Sequence, residues 1–275
     1  MAGRTFGLVG LAAAAAVMLG CGIGPGRAAS PAQSDPWPDL AQQVFHNKPL
    51  VNGDGLISLA MPVRAADAAV VPLTVKTTLP PGDSRRMIGL TLVIDQNPSP
   101  VAARFTFGRA ANITAISTRV RINDYTNVHA VAELTDGKLY VVKRFVKASG
   151  GCSAPALKDA AAAKVDLGAM RFRQFKPVHA GMSREAQIMI RHPNNSGLQM
   201  NQITHLYIPA FFVNDLTIRQ GKTLVLAMKG GISISENPSI RFDYRPDGNA
   251  PFRAEAVDTK KDVFTGEWPV AGSGM

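Results

Sequence analysis

From residue 88 onward the chain breaks into short runs in which apolar and polar side chains alternate, the two-residue period of strands. Residues 88–94 (IGLTLVI) and 103–107 read as strands, separated by Asn97-Pro98-Ser99-Pro100, which forms a turn or loop. Residues 117–122 alternate small or polar with apolar positions, and 128–134 and 139–146 follow as a pair. Thr135-Asp136-Gly137-Lys138 lies between that pair. Asp-Gly between two β-rich runs predicts a hairpin, because glycine takes the positive φ that the tight turn needs. Ahead of the strands, Asp35-Pro36-Trp37 predicts a helix start, with an acid as cap and proline at the first helical position. Such a helix, running through Phe45, buries Trp37, Leu40 and Phe45 against the adjoining domain.

The pattern stops at residues 149–170. Gly150-Gly151 is permissive backbone, Ser153-Ala154-Pro155 opens a new segment, and residues 157–163 (LKDAAAA) favour helix. Strand patterning then resumes at 186–190, 203–213, 217–218, 223–228, 240–244 and 252–257, with a turn at Asn194-Asn195-Ser196-Gly197. The fold class is therefore all-β, two antiparallel sandwiches joined by an arm and a short helical linker. The expected divisions are 1–28, 29–148, 149–170 and 171–275, with the two sandwiches packed against each other.

The first of these segments reads as an address. Arg4 precedes an apolar stretch at residues 8–21, too short to span a bilayer comfortably, and small residues follow around Gly26-Arg27-Ala28. Cleavage near Ala28 by a Sec-type route is the expectation, which places the mature chain in a periplasm. Lipidation at Cys21 is the alternative, since Leu19-Gly20-Cys21 resembles the end of a lipobox. No later segment reads as a membrane span. Loss of Arg4 and Arg27 takes the formal charge from +10 to +8, which favours anionic ligands or acidic partner surfaces. The Lys and Arg residues are scattered without a dense run, so nucleic acid is not an expected partner.

Processing leaves Cys152 as the one cysteine. An odd cysteine in an exported protein points to intermolecular pairing or a reactive thiol, against an inert buried residue. Its neighbours favour reactivity: Gly150, Gly151 and Ser153 make a small, loose arm in place of an apolar periodic run. Lys147 and Lys158 are the nearby cations in sequence. The histidines lack zinc spacing, and His179 with Met182 or His192 with Met200 lacks the convergence a copper site needs. There is no nucleophile elbow, and Gly230-Gly231 lacks the setting of a dinucleotide loop, so neither a catalytic residue nor a cofactor is assigned.

At this point the chain resembles a family. Residues 116–121 (ISTRVR), 128–147 and then Gly150-Gly151-Cys152 look like the last strands and arm of SoxY, while Ile190-Arg191-His192-Pro193 with Gly197, and residues 233–238 (SISENP), look like SoxZ. Their order is similar to that of fused, quinoprotein-dehydrogenase-associated SoxYZ-like carriers. The resemblance implies a non-enzymatic carrier of immunoglobulin-like sandwiches packed as an internal pair over a large apolar interface. It implies Cys152 as the attachment point for a small anionic or sulfur-containing cargo. As partners it implies periplasmic enzymes of sulfur or quinoprotein-dehydrogenase pathways and c-type cytochromes. The chain departs from the family in three ways. Ser153-Ala154-Pro155 replaces trailing glycines, the cysteine lies mid-chain, and the dehydrogenase association puts thiosulfate in doubt as cargo. The alternative reading is an adaptor or chaperone for a periplasmic dehydrogenase, with Cys152 incidental. A working thiol is expected to be exposed or on a mobile segment.

Overall fold

The computed structural model describes residues 35–155, 165–175 and 183–271. The expected leader, Lys158 with the predicted linker helix, and His179 with Met182 lie outside the described residues. In chain order the elements are α1 (Trp37–Phe45), β1 (Leu50–Asn52), β2 (Ile57–Ala60), β3 (Val71–Thr77), β4 (Met87–Ile94), β5 (Val101–Phe107), β6 (Ala115–Val120), β7 (Thr126–Leu134) and β8 (Leu139–Val146). The second half adds β9 (Met170–Gln174), β10 (Arg184–Ile190), β11 (Val213–Gln220), β12 (Thr223–Gly230), β13 (Ser239–Tyr244), β14 (Phe252–Asp258) and β15 (Val263–Trp268).

These strands form two layers, in the manner of immunoglobulin-like sandwiches. One sheet has nine strands in the order β1-β8-β7-β4-β5-β12-β11-β14-β15, and the other six in the order β2-β3-β6-β13-β10-β9. Each half supplies strands to both layers, but the halves meet edge to edge and not face to face. β5 pairs with β12 from Phe107↔Leu226 to Ala103↔Gly230, and β6 pairs with β13 at Ser117↔Arg241 and Ile116↔Phe242. Both sheets therefore run through the junction, and one apolar core, including Phe105 and Ile116 from one half and Met228 and Phe242 from the other, fills the space between them. The physical reason is edge satisfaction: β5 and β6 would otherwise present unpaired N–H and C=O groups, and β12 and β13 cap them. Both halves belong to one compact unit that begins at Pro36.

The β7–β8 hairpin forms as expected, with Gly137 at φ 78° and its N–H donating to Leu134 O at 2.9 Å. Among the described residues β1 pairs with β8 in parallel, and an isolated parallel bridge joins Arg64 to Lys147. Helix α1 starts at Trp37, one residue later than expected, with Pro36 at the N-cap. Its Trp37, Leu40, Val44 and Phe45 cover Val93, Val131 and Leu139 on the outer face of the large sheet. That is why β7 is buried on both faces along most of its length. Residues 203–212, expected as strand, are irregular, and β11 begins only at Val213. Asn201 Oδ1 accepts the N–H groups of Ile203 and Thr204 at 2.9 and 3.0 Å, His205 is left-handed at φ 55°, and Pro209 has no N–H to give a ladder. Ile203, Leu206 and Tyr207 consequently stand in solvent, 89%, 68% and 67% exposed.

Candidate functional site

Cys152 lies at the end of a short segment leaving β8, and it is fully buried. This overturns the expectation of an exposed thiol, and the cause is the two glycines. Gly150, at φ 76°, turns the chain inward, and its N–H donates to Asn123 O at 2.8 Å. Gly151 donates to Ile122 O at 2.9 Å. A Cβ on Gly151 would sit 2.1 Å from Ala68 O and 2.5 Å from Ile122 O, so no other residue fits. Here glycine serves close approach: the arm is docked on the strand end that follows β6.

The second half closes over the arm. Ser196 Oγ donates to Cys152 O, and Gln199 Nε2 donates to Ala154 O at 3.0 Å. Both side chains are buried, and Gln199 Oε1 accepts the Ser196 N–H at 3.1 Å. Ser153, the third residue of the expected loose flank, is exposed and folds back on the turn, its N–H and Oγ both donating to Gly150 O at 3.2 Å. The Asn194-Asn195-Ser196-Gly197 turn is thus a buried latch, continuous with the exposed loop carrying Ile203, Leu206 and Tyr207.

Beneath the arm lies Arg121, 2% exposed. Its Nη1 donates to Gly151 O at 3.3 Å and its Nη2 to Asn194 O at 3.2 Å, so one guanidinium joins arm and latch. Its backbone is fixed by N–H donation to Ser233 O at 2.7 Å and by Asn97 Nδ2 donating to its carbonyl at 2.8 Å. Asn97 Nδ2 also reaches Ser233 Oγ at 2.8 Å, and Asn97 Oδ1 accepts the Asn123 N–H at 2.8 Å. Arg121 is the cation beside the thiol, while Lys147 is exposed to solvent. Burial pushes the Cys152 thiol up from 9.0 to about 11, against the opposing pull of Arg121. The docked cysteine is therefore a neutral thiol near pH 7, shielded and unreactive.

That shift has a sign for stability. Between about pH 9 and about 11 the folded chain keeps a proton that the unfolded chain has lost, so stability is full below this window and falls as pH rises through it. Urea unfolding at the two ends of the window should show the fall, and Cys152→Ala should flatten it. A slope unchanged by the substitution would mean that the thiol is not shielded.

Next to the latch, His192 and Asp258 are fully buried with Nε2 and Oδ2 3.5 Å apart. His192 Nδ1 accepts the Asn194 N–H at 3.1 Å, which leaves the proton on Nε2, facing Asp258. Burial lowers the His192 pKa against the pull of Asp258, so the ring is neutral near pH 7. Its place is the interior. Met200, paired with it in the copper reading, is partly exposed in the outer loop. Asn194 in turn is held by Val213 N–H to its Oδ1 at 3.1 Å, so β11 anchors the latch.

Sequence reasoning missed Arg121, Asn97 and Ser196. Arg121 follows an alternating run in which Arg119 is only half-buried, so periodicity places it outward. The strand ends at Val120, and the turn after it carries the guanidinium inward.

Comparison with known proteins gives the same two halves. Residues 41–152 match the family described as sulfur oxidation protein SoxY, a match that ends at Cys152, and residues 172–269 match sulphur oxidation protein SoxZ. Among curated proteins there is no match. A solved structure of the sulfur carrier protein SoxY from Chlorobium limicola f thiosulfatophilum is 26% identical, with 41% of this chain and 91% of that one covered and a TM-score of 0.34. A superoxide reductase (neelaredoxin) from Ignicoccus hospitalis is 13% identical over 40% of this chain and 90% of its own, with a TM-score of 0.28.

Proposed function

We propose that this chain, whose residues 41–152 match SoxY and whose residues 172–269 match SoxZ, is a sulfur carrier of the SoxYZ kind, holding a covalently bound group on Cys152. One observation carries the reading: the cysteine that ends the SoxY match sits in a seat built by both halves, with Arg121 below and Ser196 and Gln199 above. A core cysteine needs apolar neighbours only. This one is held by main-chain and side-chain hydrogen bonds that can be exchanged for water, so the arm has a docked state and a released state. Docking shelters the thiol from stray oxidants, and release presents it to partner enzymes, which supply the catalysis.

The carrier works outside the cytoplasm, in the periplasm, consistent with the leader-like residues 1–28. Its partners are enzymes of sulfur oxidation or of a quinoprotein-dehydrogenase system, with c-type cytochromes among them. The rival reading, an adaptor for such a dehydrogenase, draws support from the complete burial of Cys152. Intact mass of the protein from its native periplasm separates the two. A carrier should show added mass on Cys152 that reductant removes. Protein that always carries a bare thiol, under conditions where the pathway runs, would leave the adaptor.

A further inference from the structure

Arg121 is a full charge taken out of water with no carboxylate in contact with it, and Glu236 and Asp67 act on it only through longer-range attraction. Its two terminal nitrogens meet neutral carbonyls, those of Gly151 and Asn194. Its Nε, also buried, has no hydrogen-bond partner. Among the described residues no carboxylate forms an ion pair with it, whereas Arg85 has Asp83 and Asp136, and Arg241 has Glu185. The side chains nearest in the network, Asn97, Asn194 and Ser233, are neutral. Burying an unpaired guanidinium is costly, and a planar donor fork with a free N–H is the complement of an oxyanion. The group that shares its surroundings is the Cys152 thiol, one residue beyond the carbonyl that Nη1 holds.

We propose that Arg121 is the counter-charge for an anionic group carried on Cys152, so that the seat accepts a small oxyanion borne on sulfur in preference to a cationic or neutral adduct of similar size. The inference rests on the reading of Cys152 as an attachment point. It goes further by naming the residue that selects the charge of the cargo. The free-thiol seat is closely packed, so any adduct must displace the latch somewhat. That steric cost is common to adducts of one shape, and the difference between them isolates charge.

The test uses two methanethiosulfonates of similar shape and opposite sign, the sulfonatoethyl and the trimethylammonioethyl reagents. The Cys152 thiolate attacks the sulfenyl sulfur, a disulfide bond forms, and methanesulfinate leaves with the electron pair, so no other oxidant is needed. Loading in mild denaturant, return to buffer and intact mass give singly modified full-length protein. The sulfonate adduct should melt above the ammonium adduct by about 4 °C or more, a difference set by one charge-assisted hydrogen bond in a chain of this size. The same pair on a surface cysteine, Lys138→Cys in the Cys152→Ala chain, reports the general effect of net charge and should show a much smaller gap. In Arg121→Gln the gap at Cys152 should close. If that variant does not fold, Arg121→Lys should keep part of the gap, and the comparison in the unmutated seat stands by itself. Equal melting of the two adducts, or a gap no larger than at the surface, overturns the proposal. A bare Cys152 in native protein would instead remove the carrier reading and leave the charge preference of the seat measurable.

Discussion

Gly151→Ala should turn a shielded thiol into a reactive one. The added Cβ would meet Ala68 O at 2.1 Å and Ile122 O at 2.5 Å, and both are backbone atoms that cannot rotate aside. The arm is the part held by few bonds, so it leaves while the sandwich remains. Undocking gives up the Gly151 N–H bond to Ile122 O and the ties from Ser196 and Gln199. If two of these are worth about 1 kcal/mol each, the released fraction rises roughly 30-fold. Labelling of native protein by a thiol reagent near pH 7 should accelerate by at least that factor, with the far-ultraviolet spectrum of the sheet unchanged. Gly150→Ala is the control. Its Cβ meets only Ser153 Oγ at 3.8 Å, and the cost is the positive φ alone, about 1 kcal/mol. Its effect on labelling should therefore be the smaller. Equal labelling of Gly151→Ala and the parent would mean that the arm is not what hides Cys152.

The same glycines mark the boundary of what sequence pattern conveys. Gly150-Gly151 reads as looseness, because one chain shows what a glycine permits and not what presses against it. The pressure comes from Ala68 and Ile122, distant in sequence from the arm. Strands whose side chains alternate against one shared core, such as β5, β13 and β14, are legible because burial follows the two-residue period. β3 alternates just as clearly, yet Pro72 disguises it. Its neighbour β2 reaches only Thr74–Thr77, so at Pro72 the ladder has ended on that side and the missing N–H is tolerated there. The edge-to-edge union of the halves is equally invisible, since backbone pairing of β5 with β12 leaves no mark in side-chain pattern. Arg121 and Asn194 are hidden for a related reason: both lie where strands have ended, and periodicity stops there while burial does not.

Cys152→Ala should abolish carriage at little cost to the fold, and the pairing of these two outcomes decides between carrier and adaptor. With an exposed thiol, Cys152→Ser would be nearly neutral for stability and would serve the same purpose. The docked arm changes that choice. At a site with no solvent exposure, serine places a hydroxyl among groups already paired, at a cost of about 1–2 kcal/mol, so a lower Tm follows under either reading. Alanine brings no polar atom. It leaves a small void in a segment that can settle, and the loss should be about 1 kcal/mol, a few degrees in Tm. Abundance in the cell is then close to that of the parent, and any loss of pathway flux reports the missing sulfur. A carrier without its attachment atom turns over no cargo, so flux through the pathway should fall to background, with no added mass on the protein. An adaptor keeps its surfaces, including the exposed Ile203, Leu206 and Tyr207 on the loop beyond the latch, and keeps its activity. Normal flux in Cys152→Ala at parental abundance would sink the carrier reading, and the buried seat would then be an unusually polar way of holding one inert cysteine.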